Sequence, residues 1–353
     1  MTSGRAFVQE LNELKDLLNS PKKIIITTHH KPDADALGSS LAMWGYLRKK
    51  NHQVSVITPT DYPGFLKWMH GEEEVIIFNE GREEEAAKLV EEADLVFCLD
   101  FNALSRINEL GEIIRHAPAK KILIDHHLEP EDFATLSFSD TSAAATCVLI
   151  YKLIVGLGDK SLLDTCIGEC IYAGIMTDTG SFRHPSTNKE VHLIIAELIN
   201  LAVDISSIHR LIYDNNSESK LRFLGHALLN KMVVMPEDRT AYIAISAKEL
   251  EEYDSQNGDT EGLVNFALSV DNVVFAAVII ERTESVKISF RSKGDFSANE
   301  FARKHFHGGG HKNAAGGRSD LSLDDTVAEF RRLVHEEYSA ELNTIKLTNR
   351  SSC

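Results

Sequence analysis

What this sequence lacks narrows its function before any motif is read. Nowhere in its 353 residues is there an unbroken apolar run of the roughly 18–20 residues that a bilayer-crossing helix needs. The start, Met1 to Lys23, places Phe7, Leu11, Leu14, Leu17 and Leu18 on one face of an amphipathic helix. That pattern differs from the continuous apolar stretch of a signal peptide, so a cytoplasmic location is expected. The cysteines number 5, an odd count, and none forms the C-x-x-C pair of a zinc or redox site. Cys98, Cys147, Cys166 and Cys170 sit in apolar stretches and read as reduced core thiols, with Cys353 a loose end. Basic charge is short: 37 Lys and Arg against 53 Asp and Glu leave a formal net charge of −16. Duplex DNA is gripped through many Lys and Arg contacts to phosphate, so any nucleic-acid substrate here should be short. Metal ions held by carboxylates add positive charge that a count of side chains omits, so an anionic substrate stays allowed. There is neither an internal repeat nor a low-complexity tract.

The length suits two compact domains. In the first half, short β-branched runs alternate with helical stretches: Lys23 to Thr28, Ala34 to Lys50, Gln53 to Thr58, then further strands at Asp94 to Asp100 and Lys120 to Asp125. These runs are apolar on both faces, as strands covered by helices on both sides are, and Glu83 to Glu92 reads as a charged surface helix. The spacing predicts an α/β class with a doubly wound parallel sheet. Helical patterns follow near Ala143 to Val155, Leu162 to Met176, Lys189 to Leu201 and Ser217 to Met232. After Pro236, strands resume at Thr240 to Ser246, Val273 to Glu281 and Val286 to Arg291, with helices at Glu261 to Ser269, Ser297 to Lys304 and Leu323 to Tyr338. The expected division is therefore a first domain over 1–214, a helical connector over 215–237, and a smaller α+β domain over 238–353.

Ionisable residues stand where the strands end. His29 precedes Asp33 by four residues and Asp35 by six, directly after the first strand, which is where open α/β sheets bind ligands. One compact turn thus offers an imidazole and two carboxylates, a set suited to hard divalent cations. Read alone, Asp33 is a helix cap and His29 a packed residue, and the choice between His29 and His30 is open. Asp100 closes the strand Asp94-Leu95-Val96-Phe97-Cys98-Leu99; alone it too is an ordinary cap. Asp125-His126-His127 ends the strand Ile122-Leu123-Ile124, and adjacent histidines point in different directions, so one can ligate metal while the other faces a phosphate. Asp178 follows an apolar helix and precedes Thr179-Gly180-Ser181-Phe182-Arg183-His184.

His-x3-Asp-x-Asp, a strand-end Asp, Asp-His-His and a fourth Asp, in that order, resemble the four motifs of the DHH phosphoesterases, and the likeness spans almost the whole chain. It implies that His29, Asp33 and Asp100 hold one divalent ion and that Asp35, Asp100, His126 and Asp178 hold the other, with Asp100 bridging. Mn²⁺ is expected over Mg²⁺. The same resemblance gives Asp125 the task of orienting its neighbouring histidine, and His127 that of meeting the substrate phosphate or protonating the leaving group. The segment His307-Gly308-Gly309-Gly310-His311-Lys312-Asn313-Ala314-Ala315-Gly316-Gly317 resembles the glycine-rich motif of the DHH-associated C-terminal domain. Arg291, Ser292, Gly309, Gly310, His311 and Asn313 are then substrate-binding candidates, with the active site in a cleft between the domains. Arg106 is a further candidate, and Arg183 and His184 are weaker ones.

Length, motif order and the Gly-Gly-Gly-His segment look most like the group of bifunctional oligoribonucleases and 3′-phosphoadenosine 5′-phosphate (pAp) phosphatases, the nanoRNases. The implied substrates are short RNA oligonucleotides and pAp, not long duplex DNA, and the implied assembly is a homodimer away from membranes. Cyclic- or linear-dinucleotide phosphodiesterases, pyrophosphatases and exopolyphosphatases are the competing activities on the same scaffold. A catalytically silent nucleotide-binding regulator is the competing class, and the presence of every expected ligand argues against it.

Overall fold

The computed structural model describes residues 4–214, 216–256, 258–283 and 285–346, and Cys353 lies outside them. The chain divides into two units, Met1–Asn215 and Asn216–Cys353. In the first, α1 (Gly4–Leu17) is followed by β1 (Lys23–Thr28), α2 (Ala34–Lys49), β2 (Gln53–Thr58), β3 (Ile76–Ile77), α3 (Glu83–Glu91), β4 (Leu95–Leu99), α4 (Glu109–His116), β5 (Lys120–Asp125), β6 (Leu136–Ser139), α5 (Thr146–Gly156), α6 (Thr165–Asp178), α7 (Lys189–Asn200) and α8 (Ile205–Tyr213).

Its strands form one parallel sheet in the order β3-β2-β1-β4-β5-β6. Period-two alternation sorts the side chains into two layers. Ile24 and Ile26 of β1, Leu95, Phe97 and Leu99 of β4, and Ile122 and Ile124 of β5 join the core under α2, α5, α6 and α7. Ile25, Val96, Cys98 and Leu123 point to the other face, among residues of α3 and α4. A sheet covered on both faces accounts for the unbroken apolar runs in its strands. The direction of strand addition reverses between β1 and β4, and their carboxyl ends open on the crevice that doubly wound sheets use for ligands.

Two glycines let the helices above that crevice cross closely. A Cβ at Gly38 of α2 would lie 2.5 Å from the Cys170 carbonyl oxygen, and one at Gly174 of α6 would lie 2.7 Å from Asp35 Oδ1. Leu14 of α1 and Leu18 just beyond it are buried in the same core. Cys98, Cys147 and Cys170 are buried, Cys166 is partly so, and all four are free thiols. No single helix among the described residues is long and apolar enough to cross a membrane. The bent pair α7 and α8 passes that test on length and composition together, but Val191, Ile194, Leu198, Ile208 and Ile212 turn one side of it into the protein core.

The second unit runs α9 (Glu218–His226), β7 (Met232–Met235), β8 (Thr240–Ile245), α10 (Ala247–Glu252), α11 (Leu263–Ser269), β9 (Phe275–Glu281), β10 (Val286–Ser292), α12 (Ala298–His305), β11 (Gly309–His311), β12 (Ala314–Ser319), α13 (Leu323–Leu333) and α14 (Ser339–Thr344). Its sheet has the order β11-β12-β10-β9-β8-β7, antiparallel except for the pair β8 and β9. Residues 215–237, expected as a connector, contain α9, and its Phe223 and the following Ala227 are buried with β8, β9 and α11. Within the segment Gly308–Gly317, β11 and β12 pair. Glycine has little strand propensity, yet here it is what close pairing requires. A Cβ at Gly308 would collide with the Gly316 carbonyl oxygen, and one at Gly310 would lie 2.5 Å from that of Ala314.

Candidate metal centre

The segment after β1 supplies the first candidate ligands. Asp33 does cap α2: its Oδ1 accepts hydrogen bonds at 3.0 Å from the amides of both Asp35 and Ala36. That leaves Oδ2 toward His29, 3.8 Å from its Nε2. The cap and the candidate ligand are therefore one carboxylate, with Oδ1 on the helix and Oδ2 toward His29. His29 Nδ1 lies 2.9 Å from the His30 carbonyl oxygen. A carbonyl can only accept, so Nδ1 carries a proton and Nε2 faces the carboxylates. His29 rather than His30 is thus the histidine turned into the cluster. Asp100, at the end of β4, has φ +64°, the left-handed region that Asp tolerates better than most residues. Its amide donates to Ile124 O at 3.1 Å, and its Oδ2 stands 3.5 Å from His29 Nε2.

The other half gathers around His126. Its Nδ1 lies 3.2 Å from Ala143 O, which fixes the tautomer by the same reasoning. Nε2 then faces Asp178 Oδ2 at 3.3 Å, Asp100 Oδ1 at 3.5 Å and Asp35 Oδ2 at 3.9 Å. Asp178 is the last residue of α6. Asp35 is fully buried and accepts from the amides of Thr146 and Cys147 at 2.6 and 2.9 Å. Asp125 Oδ1 holds His127 Nδ1 at 2.7 Å, while Asp125 Oδ2 is buried with no hydrogen-bond partner among the described residues.

Within the first unit, three groups have ligand atoms within 4.8 Å of one another: His29, Asp33 and Asp100; Asp35, Asp100 and His126; and Asp100, Asp125 and His127. Asp100 belongs to all three. Separations of 3.3–3.9 Å are long for hydrogen bonds. Two donors each about 2.0–2.2 Å from a shared ion lie roughly 3–3.6 Å apart, so the donor set has the spacing and the chemistry for divalent cations. No thiol enters it.

The electrostatics lead the same way. Burial opposes charge on His29, but Asp100 and Asp33 outweigh it and raise the imidazole to about 9. His126 also moves up, with burial opposing and Asp100 and Asp35 prevailing. Burial, then the charge of Asp100, push Asp35 up to about 7. Asp100 resists its own burial: His29, His127 and His126 hold it well below the ordinary carboxylate range. Without a cation, protons on imidazole supply the compensating charge, because no lysine or arginine among the described residues pairs with Asp35, Asp100 or Asp125.

The remaining candidates are placed as follows. Arg106 is exposed in the turn Leu104–Ile107, and its carbonyl accepts from the His30 amide at 2.8 Å, tying that turn to the end of β1. Arg183 Nε donates to Gly180 O at 2.6 Å and His184 Nδ1 lies 2.9 Å from Asp178 O, so both brace the loop after Asp178. In the second unit, Arg291 at the end of β10 donates through Nη1 to Phe290 O at 3.0 Å. Ser292 Oγ donates to Phe296 O and accepts from Asn313 Nδ2, whose amide also reaches Gly294 O; the pair pins the 293–296 loop. Gly309, Gly310 and His311 form β11. At Gly309 an added Cβ would meet nothing closer than 3.7 Å, so local packing does not demand glycine there. Thr146, Cys147 and Ala143 carry no signal along the sequence because all three act through backbone groups, with one hydroxyl of Thr146 besides.

A DHH family N-terminal domain matches residues 23–175 and a DHHA1 domain matches residues 240–340. The chain belongs to the DHH family. It is 33% identical over 325 residues to the bifunctional oligoribonuclease and PAP phosphatase NrnA of Thermus thermophilus, covering 89% of this chain and 90% of that protein. The protein of the same name in Bacillus subtilis is 28% identical, over 83% of this chain and 88% of its own length. Among solved structures, an exopolyphosphatase-related protein from Bacteroides fragilis superposes with a TM-score of 0.91 at 40% identity, covering 95% of this chain and 98% of that one. RecJ of Thermus thermophilus, solved with Mn²⁺, shares the fold at a TM-score of 0.54 and 16% identity, covering 96% of this chain and 55% of its own.

Proposed function

We propose that this chain is a phosphoester hydrolase that cuts short oligoribonucleotides to mononucleotides and converts pAp to AMP. The observation that carries this reading is the convergence of His29, Asp33, Asp35, Asp100, His126 and Asp178 where strand order reverses. Support for the substrates comes from relatives named as oligoribonuclease and PAP phosphatase that align along most of the chain.

Two divalent ions, Mn²⁺ in preference to Mg²⁺, would be held by His29, Asp33 and Asp100 and by Asp35, Asp100, His126 and Asp178. When bound, such ions supply Lewis acidity and positive charge to a phosphoryl group. The chain's own residues do the rest. Asp125 holds the His127 ring by Nδ1, so Nε2 is the atom that passes a proton to the leaving oxygen as water forms the new P–O bond and the old one breaks. Arg106, Arg291, His311 and the backbone amides of Gly309 and Gly310 bind phosphate, ribose or base. Ser292 and Asn313 serve the substrate through the loop they pin. In this reading 1–214 is the metal-holding part and 238–353 the substrate-holding part, and the chain acts in the cytoplasm as a homodimer. The net charge of −16 favours short single strands over duplex DNA.

The test is release of mononucleotide from labelled RNAs, from dinucleotides to long strands, and of phosphate from pAp, each with Mn²⁺, Mg²⁺ or chelator. Fast, metal-dependent turnover of the shortest RNAs and of pAp is expected. Inactivity on both, with turnover of cyclic dinucleotides or polyphosphate, would replace the substrate assignment.

A further inference from the structure

Thr146 lies outside the ligand set, yet it donates hydrogen bonds to both Asp35 and Asp100. Its amide reaches Asp35 Oδ2 at 2.6 Å and its hydroxyl reaches Asp100 Oδ1 at 2.8 Å. The residue is fully buried at the first position of α5. Ala145, the preceding cap position, offers no side-chain hydrogen bond, so the first amides of α5 would be orphans. Asp35 takes that place from another helix, accepting from Thr146 and Cys147 together. Gly174 of α6 keeps the opposite side of Asp35 clear, since a Cβ there would lie 3.0 Å from Asp35 Cα.

Asp100 Oδ1 faces His126 and His127, and Oδ2 faces His29. A carboxylate can turn about its Cβ–Cγ bond, and the Thr146 hydroxyl is the neutral donor that distinguishes the two oxygens. We infer that Thr146 is a positioning residue of the metal centre, setting the spacing of Asp35 and the rotation of Asp100 through one amide and one hydroxyl. This inference rests on the two-metal reading above.

Thr146→Val keeps the shape and the amide but removes the donor, and Thr146→Ser keeps the donor. The Val variant should hold its fold by circular dichroism while Mn²⁺ affinity and kcat fall about 10- to 100-fold, the usual cost of losing a ligand's outer partner. KM for a dinucleotide should hardly move. The electron paramagnetic resonance signal of the Mn²⁺-loaded chain should change in Val and return to the wild-type form in Ser. Should Thr146→Val fail to fold, Thr146→Ala carries the same comparison with Ser. Wild-type affinity and signal in the Val variant would overturn the inference and leave the two-metal reading standing, as would equal losses in Val and Ser tracking a lower Tm. Failure of the wild-type chain itself to take up Mn²⁺ would instead overturn the two-metal reading and this inference with it.

Discussion

The two sheets fill their interiors in opposite ways. At the carboxyl ends of β1, β4 and β5, the first unit buries His29, Asp35, Asp100, Asp125 and His126. The second packs one face of its sheet with Phe275, Phe290, Phe296, Phe301, Phe306 and Phe330. Burying a phenylalanine is favourable by itself, about 1.5–3 kcal/mol each. Burying a carboxylate costs several kcal/mol unless something neutralises it. Where the second unit does bury an acid, Asp238, it sets His335 beside it at 3.2 Å. In the first unit Asp35, Asp100 and Asp125 share a few imidazoles, and among the described residues no lysine or arginine pairs with them. An interior that places acids together without resident cations is arranged for cations from outside; the aromatic interior is arranged for stability.

That contrast breaks if the two kinds of interior respond alike to mutation. The largest effect is expected at Asp100. Asp100→Ala should lower turnover by more than the roughly 100-fold that outer partners cost, with the far-ultraviolet circular dichroism unchanged; near-normal rates would remove Asp100 from the proposed bridging role. Phe290 is fully buried, with the rings of Phe275, Phe301 and Phe306 at centroid distances of 5.8, 5.4 and 5.6 Å. Phe290→Ala should cost about 3–5 kcal/mol in denaturant unfolding while Mn²⁺ affinity stays at the wild-type value. A parallel loss of metal would mean that the interiors are not separable.

A finer comparison uses a helical glycine from each unit. Ala is favoured over Gly within a helix by about 1 kcal/mol, and at Gly225 of α9 an added Cβ meets nothing within 4 Å. Gly225→Ala should therefore raise stability by roughly 0.5–1 kcal/mol. At Gly174 the same methyl group would meet Asp35 Oδ1 at 2.7 Å and collide with Cys147 Sγ. Overpacking of about 1–3 kcal/mol outweighs the helix gain, and Gly174→Ala should lose both stability and Mn²⁺ affinity. Equal outcomes at the two glycines would contradict the close crossing over Asp35.

The smallest expected effect is a pH dependence in the second unit. Burial opposes ionisation of Glu249, but the Ser246 amide, Lys231 and His226 prevail and hold it at about 2, below its ordinary 4.5. A depressed acid contributes stability above its unfolded value and loses it as pH falls through the folded one. Glu249→Gln should thus be less stable than the wild type at neutral pH, and the gap should close between about 4.5 and about 2. A gap that is constant over that range would mean that the carboxylate is not what Glu249 contributes.

Much of the first unit was legible because its signals are carried by side chains in sequence order. The apolar runs of β1, β4 and β5 lead directly into Asp or His, and in a parallel sheet those ends gather on one edge. His29 and Asp33 could not be assigned from spacing alone; the Asp33 cap and the His30 carbonyl settle their orientation in three dimensions. Short strands such as β3 and β6 were missed, having few residues from which to show a period. β11 and β12 were hidden by their glycines, whose pairing is decided by backbone contact rather than propensity. Thr146 and Ala143 were invisible for a related reason. One shared amide, one hydroxyl and one carbonyl have no pattern along the chain, and they acquire meaning only when α5 is laid against β1, β4 and β5.

The most direct test of the central claim is the Mn²⁺ stoichiometry of the wild-type chain, measured by equilibrium dialysis with metal analysis and repeated on Asp100→Ala. Two ions per chain, lost together in the variant, are predicted. A wild-type chain that takes up none, or a variant that keeps both, would contradict the reading of the strand-end cluster as a two-metal centre bridged by Asp100.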